Sequence, residues 1–342
     1  MPRTHLLQEW LKQLFPQVPA GPSEKSLRIE PASADASFRR YFRVTLPDGS
    51  TRIVMDAPPE HEDCRPFLQV AELFGTAGIH VPTVFAENLA QGFLLLSDLG
   101  HTTYLSALNE NTAPALYGDA NTALVFLQRA SRPGRLPAYD RPLLERELRL
   151  FPDWYLAKHL GLTLTPAQTT ALHEVFETIL ANTLAQPQVF VHRDYHSRNL
   201  MVLEGDYPRN PGILDFQDAV FGPITYDLVS LYRDAYIDWP EAQELDFVIR
   251  YWERARAAGL PVHAEFDTFY RDYEWMGAQR QLKVLGIFAR LYHRDGKDGY
   301  LKDMPRVMTY LRRTCERYRE LKPLAQLLDT LEKRNADVAF TF

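Results

Sequence analysis

The chain has 342 residues, 24% charged and 46% apolar, with 38 Lys+Arg against 44 Asp+Glu for a net charge of −6. That is the balance of a globular protein, long enough for two domains or one large bilobed one at about 150 residues each, and it excludes disorder over most of the length. A mildly acidic chain lacks the basic footprint of a nucleic-acid binder, so none is expected as partner, and positive charge for any anionic ligand has to be local. Cys64 and Cys315 are far apart and in no metal-like spacing, which reads as free thiols in a reducing compartment. No apolar run approaches the ~18 residues of a membrane span. Glu9 and Lys12 interrupt what would have to be the apolar region of a signal peptide. A cytoplasmic protein without a membrane partner is the expectation.

In chain order, the first pattern is an amphipathic helix with Leu7, Trp10, Leu11 and Leu14 on one face. SLRIEP, YFRVTL, TRIVMDA and GFLLLSDL then read as strands, with Pro47-Asp48-Gly49 turning the second into the third. Phe67, Val70, Ala71 and Phe74 place a helix between the third and fourth, stopped by Gly75 and Gly78. From Gly100 the pattern turns helical, over 101–130, 142–160, 166–185, 226–236, 241–258 and 263–292. It is interrupted by the strand QVFVH and by NLMVL and GILDF, a hairpin across EGDYPRNPG. Residues 306–333 repeat apolar positions at helical spacing, with their arginines read as a solvated face. The expected fold class is α+β. A small β-rich N-lobe with one helix spans residues 1–100, and a larger α-helical C-lobe with a catalytic hairpin spans 101–342.

The chemistry lies in VHRDYHSRNLMV followed by GILDFQDAVFGPITYDL. His192-Arg193-Asp194 follows a strand, Asn199 stands five residues after Asp194, and Asp215 closes the next apolar strand. Phosphoryl transfer from ATP asks for such a set. One carboxylate orients and deprotonates an acceptor hydroxyl, while an amide oxygen and a second carboxylate leave Mg²⁺ room for phosphate oxygens. His293-Arg294-Asp295 repeats the tripeptide, but Tyr300 stands where the asparagine should be and no Asp-Phe strand follows.

These motifs resemble the aminoglycoside phosphotransferase and choline kinase-like superfamily, over about residues 25–320. The resemblance implies a protein-kinase-like bilobed fold with Asp194 as catalytic base, Asn199 and Asp215 as Mg²⁺ ligands, and His192 and Asp227 as structural residues of the catalytic loop. The small lobe departs from the family pattern. No glycine-rich loop occurs; PASADASFRRYFRV stands there, and Ser33, Ala34, Ser37 and Phe38 are the candidates to approach the phosphates. Met55 occupies the place of the family's phosphate-holding lysine, so Arg40 or Arg43 is expected to supply the charge. Glu72 would be the acid of the small-lobe helix. Backbone groups at Leu96 and Ser97 in LLLSDLG would meet adenine.

The DASFRRYFRV loop, the lysine-less VMDAP strand and the DFQDA metal strand are most similar to the anomeric sugar kinases of bacterial cell-wall recycling, which act on N-acetylmuramate and N-acetylglucosamine at C1. The partners implied are ATP and a small amino sugar, bound by a monomer. Acceptor contacts are sought in Tyr195, His196 and Arg198 of the loop, Gln217 and Asp218 beyond it, Arg233 and Tyr236, and Trp239, Glu274 and Trp275 by residue type. A carboxylated acceptor would need a cation, for which Arg233 and Arg198 are the candidates. Aminoglycoside, choline or homoserine-type alcohols are the alternative acceptors; an inactive nucleotide-binding scaffold is the alternative from another class.

Overall fold

The computed structural model describes residues 3–18, 26–34, 38–203 and 210–339, without the side chains of 33, 34 and 331–339. The chain divides into two compact units, residues 1–103 with 200–218 and residues 104–199 with 219–342. The segment Leu200–Asp218, which the sequence groups with the helical lobe, belongs to the first unit.

In the first unit, helix α1 (Arg3–Leu14) is followed by strands β1 (Arg28–Ala34), β2 (Arg40–Thr45) and β3 (Thr51–Asp56), helix α2 (Arg65–Thr76), and strands β4 (Val84–Asn88) and β5 (Phe93–Ser97). Among the described residues these strands form one antiparallel sheet in the order β1-β2-β3-β5-β4; β4 is the strand the sequence pattern did not reveal. Gly49, at φ +83°, and the Asp48 carboxylate, which accepts from the Ser50 N–H at 2.8 Å, close the β2–β3 turn. Leu7, Trp10 and Leu11 of α1 pack on Val44, Val54, Phe93 and Leu95 of the sheet, with the Trp10 and Phe93 rings stacked at 5.6 Å. A short hairpin pairs Leu200 with Ile213 and Met201 with Gly212, and Leu99, Met201 and Leu203 form a small core against it.

The second unit holds α3 (Tyr104–Ala107), α4 (Ala113–Arg129), α5 (Arg141–Leu148), a π-helical segment Phe151–His159, α6 (Pro166–Ala185), α7 (Tyr226–Tyr232), α8 (Glu241–Ala257), α9 (Phe266–Asp295), α10 (Met304–Arg317) and α11 (Lys322–Ala339). The helical repeat expected to run through 306–333 is broken at Tyr318, whose extended ψ of 124° ends α10. Helix α9 is buried on all sides from Asp272 to Gly286, as befits a central helix. A Cβ on Gly286 would lie 2.4 Å from the Leu150 backbone, so only glycine lets α9 approach the start of the π-helical segment. Strands β6 (Gln188–Val191) and β7 (Val220–Pro223) pair antiparallel with Val191 opposite Val220, and this ladder delivers the chain to His192.

Candidate active site

The loop His192–Asn199 follows β6 and is held from α7. Asp227, in the first turn of α7, accepts from the His192 N–H at 2.7 Å and from the Arg193 N–H at 3.0 Å, so one carboxylate grips two consecutive amides. Burial pushes the Asp227 carboxyl up to about 7, with the neighbouring Asp194 charge adding to the rise against the two amides. His192 is fully buried, and its Nδ1 accepts from the Asp194 N–H at 3.2 Å. Both residues therefore shape the loop, the part the resemblance implies for them.

Arg193 adopts φ +78°, a left-handed conformation that costs a non-glycine residue energy. Its guanidinium is anchored on the buried Glu147 at 2.5 Å, and Glu147 also takes the Lys283 ammonium at 3.0 Å and the Tyr139 hydroxyl. Lys283 further donates to the Tyr226 hydroxyl at 2.8 Å. These cations bear on Asp194: burial pushes its carboxyl up, but Lys283, Arg193 and Arg280 outweigh burial and hold it below its ordinary value. Asp194 is thus an ionised carboxylate at neutral pH. The Asn199 amide donates to the Asp194 carbonyl at 3.0 Å, fixing the asparagine against the base. Ser197 N–H donates to Asp234 at 2.9 Å, tying the far side of the loop to the residues after α7.

The remaining loop residues divide. Tyr195 is fully buried and donates to the Ala120 carbonyl at 2.9 Å, so it is a core residue and not the sugar contact expected. The His196 ring packs edge-on to Tyr236 at 5.4 Å, and Arg198 lies 3.7 Å over the Tyr236 ring. Burial pushes the His196 pKa down, leaving a neutral imidazole at pH 7. His196, Arg198 and Tyr236 therefore form one cluster beside the base.

Four other acceptor candidates are consumed by packing. Arg233 donates to Glu244 at 2.7 Å, Glu274 at 2.9 Å and Thr314 at 2.8 Å, all buried. Glu274 also receives Arg317 at 2.5 Å and Tyr318 at 2.7 Å. Trp239 donates to Tyr117 at 2.8 Å, and Trp275 is 2% exposed. Residue type suggested sugar ligands; hydrogen bonding makes Arg233, Glu274 and Trp239 structural, and burial does so for Trp275.

In the first unit, Asp215 also adopts a left-handed backbone, φ +63°, and accepts from the Gln217 amide at 2.7 Å. Phe216 beside it is wedged against Phe67 and Phe74 of α2, at 4.8 and 6.0 Å between ring centres. The buried ring anchors the strained turn that aims the carboxylate. Asp218 is exposed.

The phosphate-charge candidates are engaged elsewhere. Arg40 pairs with the buried Asp56, which Arg3 also meets at 2.8 Å. Arg43 is clamped on Asp98 at 2.6 and 3.0 Å and on the Gly100 carbonyl at 2.9 Å. Arg39, which the sequence reading passed over, pairs with Glu62 at 3.1 Å, and the Asp215 charge stabilises its guanidinium. Glu72, on α2, is exposed. Met55 and Leu96 are buried in the sheet. The Ser97 N–H donates to the Thr83 carbonyl at 2.9 Å, so that amide is not offered to adenine. Phe38 is 62% exposed and stacks on His61 at 4.4 Å. Ser37 lies outside the described residues, as do the side chains of Ser33 and Ala34.

No helix among the described residues is long and apolar enough to cross a membrane. Residues 28–261 match the profile described as "Phosphotransferase enzyme family". The chain is 50% identical to the N-acetylmuramate/N-acetylglucosamine kinase of Neisseria meningitidis serogroup B over the whole of both chains. It is 49% identical to the enzyme of the same name from Pseudomonas aeruginosa, over 96% of this chain and 97% of that one. Two solved structures share the fold at low identity. The ethanolamine kinase of Plasmodium vivax has a TM-score of 0.61 at 14% identity, covering 90% of this chain and 86% of its own. The choline kinase of Streptococcus pneumoniae has a TM-score of 0.60 at 12% identity, covering 89% and 98%. With the family profile matched over residues 28–261 and about half of the residues shared with the two N-acetylmuramate/N-acetylglucosamine kinases along nearly the whole length, the chain belongs to the APH phosphotransferase enzyme family.

Proposed function

We propose that this protein transfers the γ-phosphoryl group of ATP to the anomeric hydroxyl of N-acetylmuramate and N-acetylglucosamine. The observation that carries the reading is the Asp194 loop. Its carboxylate is kept ionised by Lys283 and Arg193, and its backbone is pinned by Asp227. Near-full-length identity to kinases named for these two sugars supports the acceptor.

Asp194 orients the C1 hydroxyl and accepts its proton as the hydroxyl oxygen attacks, in a direct transfer without a covalent enzyme intermediate. By the family pattern Asn199 and Asp215 are the Mg²⁺ ligands. An amide oxygen and a carboxylate are the hard oxygen donors that this ion takes, with other positions left to phosphate and water. When bound, Mg²⁺ neutralises charge developing on the phosphates. Arg39, paired with Glu62 and stabilised by several acidic groups including Asp215, is our candidate for a further cation on the nucleotide. His196 and Tyr236 offer the acceptor an imidazole and an aromatic face. The product, a sugar 1-phosphate, suits conversion to a UDP-sugar in peptidoglycan recycling, carried out by a cytoplasmic monomer.

Phosphorus NMR of the protein with Mg-ATP and each sugar tests this, with kanamycin in parallel. A sugar 1-phosphate resonance is expected with both sugars. Phosphorylated kanamycin alone would replace the acceptor, and absence of ADP with any alcohol would reduce the chain to a scaffold.

A further inference from the structure

We propose that Arg280 is the cation of the acceptor site, and that it takes the carboxylate by which N-acetylmuramate differs from N-acetylglucosamine. The inference rests on the sugar-kinase reading above.

Arg280 lies on α9, one turn before Lys283, and only 5% of it is exposed. Its Nε is buried without a hydrogen-bond partner, and among the described residues no carboxylate stands within ion-pair distance of its guanidinium. The other deeply buried cations of this unit differ. Arg233 has Glu244 and Glu274, and Lys283 has Glu147. A guanidinium taken out of water without a partner is costly, and a buried donor left without one calls for an explanation.

The direction in which Arg280 acts is also defined. Its charge is felt at Asp194, at Asp227, at His196 and at Tyr236. It therefore lies within electrostatic reach of Asp194 and the His196–Tyr236 cluster, and Phe288 of the same helix packs on the Tyr236 ring at 6.4 Å. Two more buried polar atoms of the loop, His196 Nδ1 and Ser197 Oγ, are likewise unpartnered. An arginine present only to balance Asp194 and Asp227 would close to contact, as Arg193 does on Glu147 at 2.5 Å. Arg280 instead keeps its planar fork of donors for something outside the chain, and that fork matches a carboxylate in two parallel hydrogen bonds. Arg233, favoured on sequence for this task, is saturated. Arg198 is exposed and lies flat on Tyr236, where water already serves its charge.

The test compares wild type, Arg280→Gln and Arg280→Lys on N-acetylmuramate, its lactyl methyl ester and N-acetylglucosamine, reading kcat and KM from ADP release. Arg280→Gln is expected to raise KM for N-acetylmuramate by about thirtyfold more than KM for N-acetylglucosamine, the worth of a hydrogen-bonded charge pair. Wild type should treat the ester like the neutral sugar, and Arg280→Lys should recover part of the acid's advantage. Equal losses on both sugars would assign Arg280 to the nucleotide phosphates or to Asp194 and overturn the proposal. So would an ester that wild type binds as well as the acid. Should Arg280→Gln not fold, Arg280→Lys, which keeps the buried charge, decides through the same acid-to-neutral ratio: a fall supports the proposal and an unchanged ratio overturns it. Wild type that phosphorylates neither sugar would instead remove the functional reading on which this rests.

Discussion

The carboxylate of Glu147 stands 3.0 Å from the ammonium of Lys283 and, through its same oxygen, 2.5 Å from the guanidinium of Arg193. One acid on α5 thus joins the central helix to the catalytic loop. Burial pushes the Glu147 carboxyl up, and the two cations more than reverse this, keeping it ionised. Glu147→Gln would strand two cations, Lys283 buried and Arg193 mostly so. Unfolding free energy is expected to fall by about 3–5 kcal/mol, read as a lower urea midpoint. Glu147→Gln combined with Lys283→Met should recover part of the loss, whereas independent, additive losses would show that the pair does not interact.

Asp194→Asn keeps the size of the base and removes its proton affinity. The expected result is a fall in kcat of roughly 10²–10⁴ with little change in the KM for ATP. Steady-state kinetics at saturating sugar checks it. Wild-type turnover in this variant would remove Asp194 from the mechanism.

Asp227 should leave a pH signature in stability. Its folded-state pKa, about 7, lies above the ordinary 3.8, so its protonated form favours the fold. That contribution is complete below the ordinary value and is lost as pH rises toward 7, with a slope of about 1.4 kcal/mol per pH unit between the two. Asp227→Asn abolishes this component. Urea midpoints of the two proteins measured across the interval should change their separation steadily with pH; a constant separation would contradict the assignment.

Gly286→Ala tests the approach of α9 to Leu150. The added methyl would meet backbone at 2.4 Å, which cannot swing aside as a side chain can. About 1–3 kcal/mol of destabilisation is expected, despite the better helix propensity of alanine. Thermal unfolding of the variant would show it, and an unchanged or raised Tm would mean that the helix shifts freely.

Both thiols should be inert in the native protein. Burial pushes Cys315 up to about 12 and raises Cys64 as well, so neither supplies thiolate near neutral pH. A disulfide exchange reagent is expected to find no fast-reacting cysteine until denaturant is added, and then both.

What the sequence disclosed was what contiguous motifs carry, the family and the fold class. Asp194, Asn199 and Asp215 stand at fixed spacings on short strands, and apolar alternation located β1, β2, β3 and β5. Strand β4 escaped because the apolar residues of VFAEN run consecutively instead of alternating, and none of them is fully buried. The acceptor side was poorly legible for a different reason. In GAQRQLKVLG, the polar residues of α9 look like the wet face of an amphipathic helix, yet Gln279, Arg280, Gln281 and Lys283 are all buried. Only tertiary packing reveals that no wet face exists there. Conversely, Trp239, Glu274, Trp275 and Arg233 have the side chains that bind sugars, and the structure spends them on one another and on the core. Arg39 was separable from Arg40 and Arg43 only by tertiary partners: Arg40 is taken by Asp56 and Arg43 by Asp98, whereas Arg39 pairs with Glu62.

The left-handed backbone at Asp215 bears on any attempt to make this protein hardier. Screening a library for heat resistance alone would favour glycine at 215, because glycine relieves a conformational cost of about 1–2 kcal/mol there. Arg193, equally contorted, would resist the same drift, since its side chain is moored to Glu147. Selection blind to catalysis would therefore erase the two contorted positions unequally, discarding the carboxylate at 215 first.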